Sequence, residues 1–82
     1  MIEVTLCARR LSKPNVHDYF ARKFPLPDYY GNNLDALYDV LTSLPETTVK
    51  VRGTVQNEQG ERILAVLRDA AAANEHLTLI EK

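Results

Sequence analysis

Eighty-two residues with a net charge of −1 leave room for one domain, expected over residues 1–82, and give no overall reason for a nucleic-acid partner. Hydrophobic residues at 45% and charged residues at 26% are ordinary globular proportions and exclude a disordered chain. No leader and no apolar run long enough to span a bilayer is evident, so the expectation is a soluble cytoplasmic protein with no membrane partner.

Ile2, Val4 and Leu6 alternate with Glu3, Thr5 and Cys7, which predicts a strand. Cys7 is the chain's one cysteine, so it forms neither an internal disulfide nor a cysteine metal cluster, and it is expected to be a small buried apolar residue. Lys13-Pro14-Asn15 then opens a helix with Pro14 in its first turn. Val16, Phe20 and Phe24 make its apolar stripe, with Tyr19 and Lys23 alongside. Pro25 ends it, and Leu26-Pro27-Asp28 is a stiff connector. Asn32 reads as the N-cap of a second helix that ends near Leu44, ahead of Pro45. Thr47 to Arg52 alternates as a second strand, and Gly53 to Asn57 is a loop.

A third helix is predicted from about Glu58 to Ala73, with Ile63, Val66, Leu67 and Ala70 inward and Asn74 ending it in a left-handed conformation. Leu77, Leu79 and Ile80 make the last strand. Strands separated by helical crossovers pair in parallel. The predicted fold is therefore α/β, a three-stranded parallel sheet with helices packed around it.

The second helix is the unusual element. No basic residue stands between Lys23 and Lys50. Leu34, Leu37, Leu41 and Leu44 recur on one side, while Asp35, Tyr38, Asp39 and Thr42 recur on the other. Two aspartates four residues apart repel by about 0.2–0.5 kcal/mol, and Asp is a poor helix former. A first-turn carboxylate that answers the helix dipole is sufficient reason for Asp35. Asp39 lies mid-helix, where that reason lapses. Asp28, Asp35, Asp39 and Glu46 stand unopposed, an acidic field suited to a basic protein partner. Tyr38 on the same side reads as an interface anchor. His17 and His76 have no ligand-spaced neighbours, so neither a metal nor a cofactor is implied.

The run Leu26-Pro27-Asp28-Tyr29-Tyr30-Gly31-Asn32-Asn33-Leu34-Asp35-Ala36-Leu37-Tyr38-Asp39 resembles the signature of the barstar family, intracellular inhibitors of the ribonuclease barnase. Val66-Leu67-Arg68-Asp69-Ala70 is similar to the family's final helix. The resemblance implies a non-enzymatic inhibitor with a parallel three-stranded sheet, whose second helix and preceding loop plug the active site of a barnase-like extracellular ribonuclease in a 1:1 complex. Carried over by position, the contact residues are Tyr29, Gly31, Asn33, Asp35, Tyr38, Asp39, Thr42 and Asp69. Asp39 would take the place of a substrate phosphate, and Tyr29 would lie against the catalytic histidine. Tyr38 and Leu44 stand where the family pattern has Trp, and Asn32 where it has Glu.

For these tyrosines, Tyr30 is expected to pack under the loop, leaving Tyr29 outward. Gly31 also suits a turn needing positive φ, Asn33 a turn or cap, and Asp69 an ordinary charged surface. Two other functions fit the same residues. One is inhibition of a different basic toxin through the same face. The other is Mg²⁺-dependent phosphohydrolysis with Asp35 and Asp39 as paired ligands.

Overall fold

In the computed structural model, which describes residues 2–24, 26, 31 and 33–81, apolar–polar alternation produces three strands, and four helices accompany them. In chain order they are β1 (Ile2–Cys7), α1 (Ala8–Leu11), α2 (Val16–Lys23), α3 (Leu34–Thr42), β2 (Thr47–Arg52), α4 (Glu58–Ala73) and β3 (Leu77–Glu81). The sheet order is β1-β2-β3, with both pairings parallel: Ile2 opposes Thr47, and Thr47 opposes Leu77. A parallel pair needs a long crossover, and α1–α3 and α4 supply the two.

One face of the sheet is covered. Val4 and Leu6, Thr47, Val49 and Val51, and Leu77 are buried there against Leu11, Phe20, Leu37, Leu41, Ile63 and Leu67. Glu3, Thr5 and Arg52 look outward, and Lys50 reaches Glu3 at 3.7 Å across the outer face. Cys7 belongs to this outer set and is exposed, contrary to the burial expected of it. The cause is parity: with Leu6 fully buried, the next residue of a strand points the other way.

A short helix precedes the one expected after β1. Ala8 and Leu11 are buried in α1, a four-residue helix with no counterpart in the sequence reading. Residues 12–15 turn, and α2 begins at Val16 with Asn15 at its cap, so Pro14 lies ahead of the helix and not in its first turn. Pro14 accounts for the break, because the residue before a proline is driven out of helical conformation. Tyr19, inside α2, accepts a hydrogen bond from the Cys7 N–H at 2.9 Å. Its ring lies 4.7 Å from the Arg10 guanidinium and 5.7 Å from the Lys23 ammonium.

The turn after α1 is fastened to the start of α4. Ser12 is buried; its Oγ accepts from Gln56 N–H (2.9 Å), and its carbonyl accepts from Asn57 Nδ2 (2.9 Å). Gln59 Nε2 donates to the carbonyls of Leu11 and Lys13. Gly60 fits beneath this junction, where an added Cβ would stand 2.6 Å from Ser12 Oγ and 2.9 Å from Val55 Cβ. Gly60→Ala is therefore expected to lower the melting temperature. Alanine's helix-propensity gain of about 1 kcal/mol is outweighed by overpacking of about 1–3 kcal/mol against a hydroxyl already held by Gln56. A melt at or above wild type would show that Ser12 gives way.

Asn74 does not adopt the left-handed conformation expected of it. Its φ of −119° and ψ of 106° are extended. It ends α4 with a buried side chain, and its amide has long-range partners that account for the residue type without any need for positive φ. Ile63, Leu67 and Ala70 are buried and Val66, half-buried, packs against the same core, so all four face inward as expected.

Candidate protein-binding face

α3 begins at Leu34 because Asn33 caps it: Asn33 Oδ1 accepts from the Ala36 N–H at 2.8 Å. The capping role expected of Asn32 thus falls to its neighbour, and Asn32 itself lies outside the described residues. Asn33 Nδ2 also donates to the Gly31 carbonyl at 3.3 Å, so one side chain closes the turn and starts the helix. Gly31 is exposed, and a Cβ there would stand 3.1 Å from Asn33 Nδ2. Close approach to Asn33 is thus the reason for glycine that the contacts give at this position. Gly53 is a glycine at positive φ, 91°. Tyr29 and Tyr30 lie outside the described residues.

Leu37 and Leu41 are fully buried, and Leu44 beyond the helix is buried with them. Their burial turns the opposite side of α3 outward. Asp35 and Asp39 are exposed, and so is Tyr38 at 36%, the one large hydrophobic side chain standing exposed among the described residues. Thr42 is half-buried and its hydroxyl donates to the carbonyls of Tyr38 (3.0 Å) and Asp39 (3.1 Å). Ser43 Oγ adds a second bond to the Asp39 carbonyl at 2.9 Å. The proton of Thr42 is thereby committed, leaving its oxygen to accept.

Asp69 is exposed on α4. The two helices run side by side in the same sense. Asn33 and Leu34 share a groove with Glu58 and Arg62 at one end, and Asn74 bonds the last carbonyls of α3 at the other. Asp69 precedes Asn74 by about 7.5 Å of helix axis at about 1.5 Å per residue, which sets it about level with the Tyr38–Asp39 turn.

Charge pairing is uneven over the surface. Glu3, Glu46, Glu58, Glu75 and Glu81 each lie within 4 Å of Lys50, His76, Arg62 or Arg68. Asp35, Asp39 and Asp69 form no ion pair with a described residue, nor do Asp18 on α2 and Glu61 on α4. The cations Arg9, Arg10, Arg22 and Lys23 stand in the last turns of α1 and α2, where they answer the carbonyl ends of those helices. α3 has no cation in its last turn. Arg68 holds Glu81 through bonds of 2.9 and 2.7 Å, which keep the Glu81 carboxyl below its ordinary range and the guanidinium above its own.

The groove between the starts of α2, α3 and α4 contains His17. Burial lowers its pKa from 6.5, with Asp18 opposing the change. The folded state therefore binds fewer protons than the unfolded chain just below pH 6.5, and stability falls as pH drops through that window until the folded group titrates too. His17→Gln is expected to flatten the melting temperature between pH 7 and pH 5. An unchanged slope would assign the acid sensitivity to other groups.

Among the described residues, no three His, Cys, Asp or Glu side chains come together as a metal ion would require, and no helix is long and apolar enough to cross a membrane. The residue whose role sequence reasoning missed is Asn74. Its partners lie across the fold, and no local pattern signals them.

A family model described as Barstar (barnase inhibitor) matches residues 4–80. The Putative ribonuclease inhibitor YrdF of Bacillus subtilis (strain 168) is 39% identical over 62 residues, covering 67% of this chain and 68% of that protein.

Proposed function

The chain belongs to the barstar family, and on that premise we propose that it inhibits a barnase-like extracellular ribonuclease by filling the active-site cleft with α3 and the loop ahead of it. The observation that carries this reading is the outward side of α3, where Asp35 and Asp39 are exposed without an ion pair to a described residue and share a helix face with the exposed Tyr38, while Asp69 is exposed on the neighbouring α4. An enzyme built to hold a phosphate chain offers a basic concave site. Carboxylates on a rigid helix match it with little ordering cost.

In this reading Asp39 takes the place of a substrate phosphate. Asp35 and Asp69 flank it, Tyr38 supplies apolar contact, and Thr42 accepts a hydrogen bond at the edge. Gly31 and Asn33 hold the loop, and Tyr29 meets the catalytic histidine. The protein acts as a single cytoplasmic domain, forms a 1:1 complex and turns over no substrate itself. Asp18 and Glu61 are also exposed without an ion pair to a described residue, but it is on α3 that two such carboxylates share a helix face with an exposed aromatic side chain.

The test is titration of the purified protein into a panel of barnase-like ribonucleases, with RNA cleavage as the readout. Cleavage should fall linearly to an equimolar endpoint for at least one enzyme. Ribonuclease or phosphatase turnover that co-purifies with the protein and disappears in Asp35→Asn would overturn the inhibitor reading.

A further inference from the structure

The end of α3 poses a problem of hydrogen bonding. Its last carbonyls point away from the helix with no Lys or Arg in that turn and no glycine closing it; Ser43 ends the helix in right-handed conformation. Buried carbonyls without donors are costly. Here the side-chain donors that reach them from the described residues are all neutral. The Thr42 and Ser43 hydroxyls serve Tyr38 and Asp39. Asn74 Nδ2 donates to the carbonyls of Leu41 at 3.0 Å and Leu44 at 3.1 Å, and so spends both of its protons on one helix end.

The rest of Asn74 is equally engaged. Its backbone N–H donates to Ala70 and ends α4, its Oδ1 accepts from His76 N–H at 3.0 Å, and its carbonyl accepts from Leu77 N–H at 3.0 Å as β3 begins. The residue is 6% exposed. A single buried amide therefore joins the end of α3, the end of α4 and the start of β3.

We infer that Asn74 is a positioning residue for the inhibitor face, fixing α3 against α4 and with it the placement of Asp39 relative to Asp69. This rests on the reading proposed above. The residue type fits the task. A lysine could satisfy the same carbonyls, but its charge would stand at the end of the acidic helix and weaken the field that Asp35 and Asp39 present. A glycine closure would satisfy them without any tie to α4. An asparagine supplies two donors, no charge and a link between the two helices that carry the carboxylates.

Two measurements test it, on wild type, Asn74→Ala and the milder Asn74→Ser, which keeps one donor. The first is amide hydrogen exchange of the free protein, well below its melting temperature. In Asn74→Ala the amides of Asp35–Thr42 should exchange at least about tenfold faster while those of β2 hold their protection, and Asn74→Ser should fall between. The second is dissociation from the ribonuclease that wild type inhibits. Asn74→Ala should release it about tenfold faster with little change in association, and Asp39→Ala should cost at least about threefold less in that background than in wild type.

Acceleration spread evenly over α3 and the sheet would reduce Asn74 to a general stabiliser and overturn the inference. So would independent effects of Asn74→Ala and Asp39→Ala on dissociation. Failure of wild type to bind any ribonuclease would instead overturn the inhibitor reading, and the exchange measurement alone would then decide whether Asn74 sets α3.

Discussion

Asp39→Ala is expected to weaken ribonuclease inhibition by about 2–5 kcal/mol or more, nearly all of it in faster dissociation, and to leave the melting temperature unchanged or slightly raised. Removing one member of a charge pair that is desolvated in a complex costs this much because the cation left behind is buried without its partner. The free protein has no such partner to lose. Asp39 is exposed and forms no ion pair with a described residue, and its own carbonyl, which Thr42 and Ser43 bond, remains in the variant. Alanine relieves the repulsion from Asp35, about 0.2–0.5 kcal/mol, and is the better helix former. Asp69→Ala should cost less, since Asp69 belongs to the neighbouring helix. Glu81→Ala should show the reverse pattern: loss of its bonds to Arg68 is felt in the melt, most clearly above the ordinary carboxylate range, and inhibition is spared. Inhibition constants and melts on the three variants check all of this. Equal losses of inhibition, or a destabilised Asp39→Ala, would return Asp39 to the structure.

Much of the fold is legible in the chain because its strands are short alternating runs with clear ends. β1, β2 and α4 have the bounds that periodicity predicts, and Leu37, Leu41 and Leu44 are buried where their spacing places them, with Leu34 half-buried against the same core. The illegible parts have local causes. α1 is four residues long, too short for any period to register, and it follows β1 with no breaker between. Asn32 and Asn33 are chemically identical neighbours, so sequence could not say which one caps. Residue type argues for a buried Cys7, but the pleat decides its side.

On the face itself, helical spacing told that Asp35, Tyr38 and Asp39 point the same way, which their exposure agrees with. It could not tell that Thr42 spends its proton on the helix, or that Asn74 serves carbonyls at the end of a different helix. Such partners are set by packing, and a one-dimensional pattern does not contain them.

The association rate should be the property most sensitive to salt, falling from above about 10⁷ M⁻¹s⁻¹ near 10 mM salt to about 10⁵–10⁶ M⁻¹s⁻¹ near 1 M, with dissociation nearly constant. The barnase–barstar pair is itself the reference case for such steering, so these magnitudes extend a relative's behaviour to this chain. The overall charge of −1 would give almost no attraction if it were evenly spread. It is not: Asp35, Asp39 and Asp69 lie on α3 and α4, while Arg9, Arg10, Arg22 and Lys23 close α1 and α2. The molecule measures 29 × 29 × 19 Å. At about 0.1 M salt the screening length is roughly 10 Å, so an approaching enzyme senses the near face and little of the far one; at about 1 M it is roughly 3 Å and the long-range field is gone. Asp35→Asn should therefore slow association severalfold at low salt and hardly at all at high salt. Stopped-flow association rates for wild type and Asp35→Asn across that range provide the check. A wild-type rate that stays flat with salt would show that this face does not steer its partner, whatever its contacts contribute once the complex has formed.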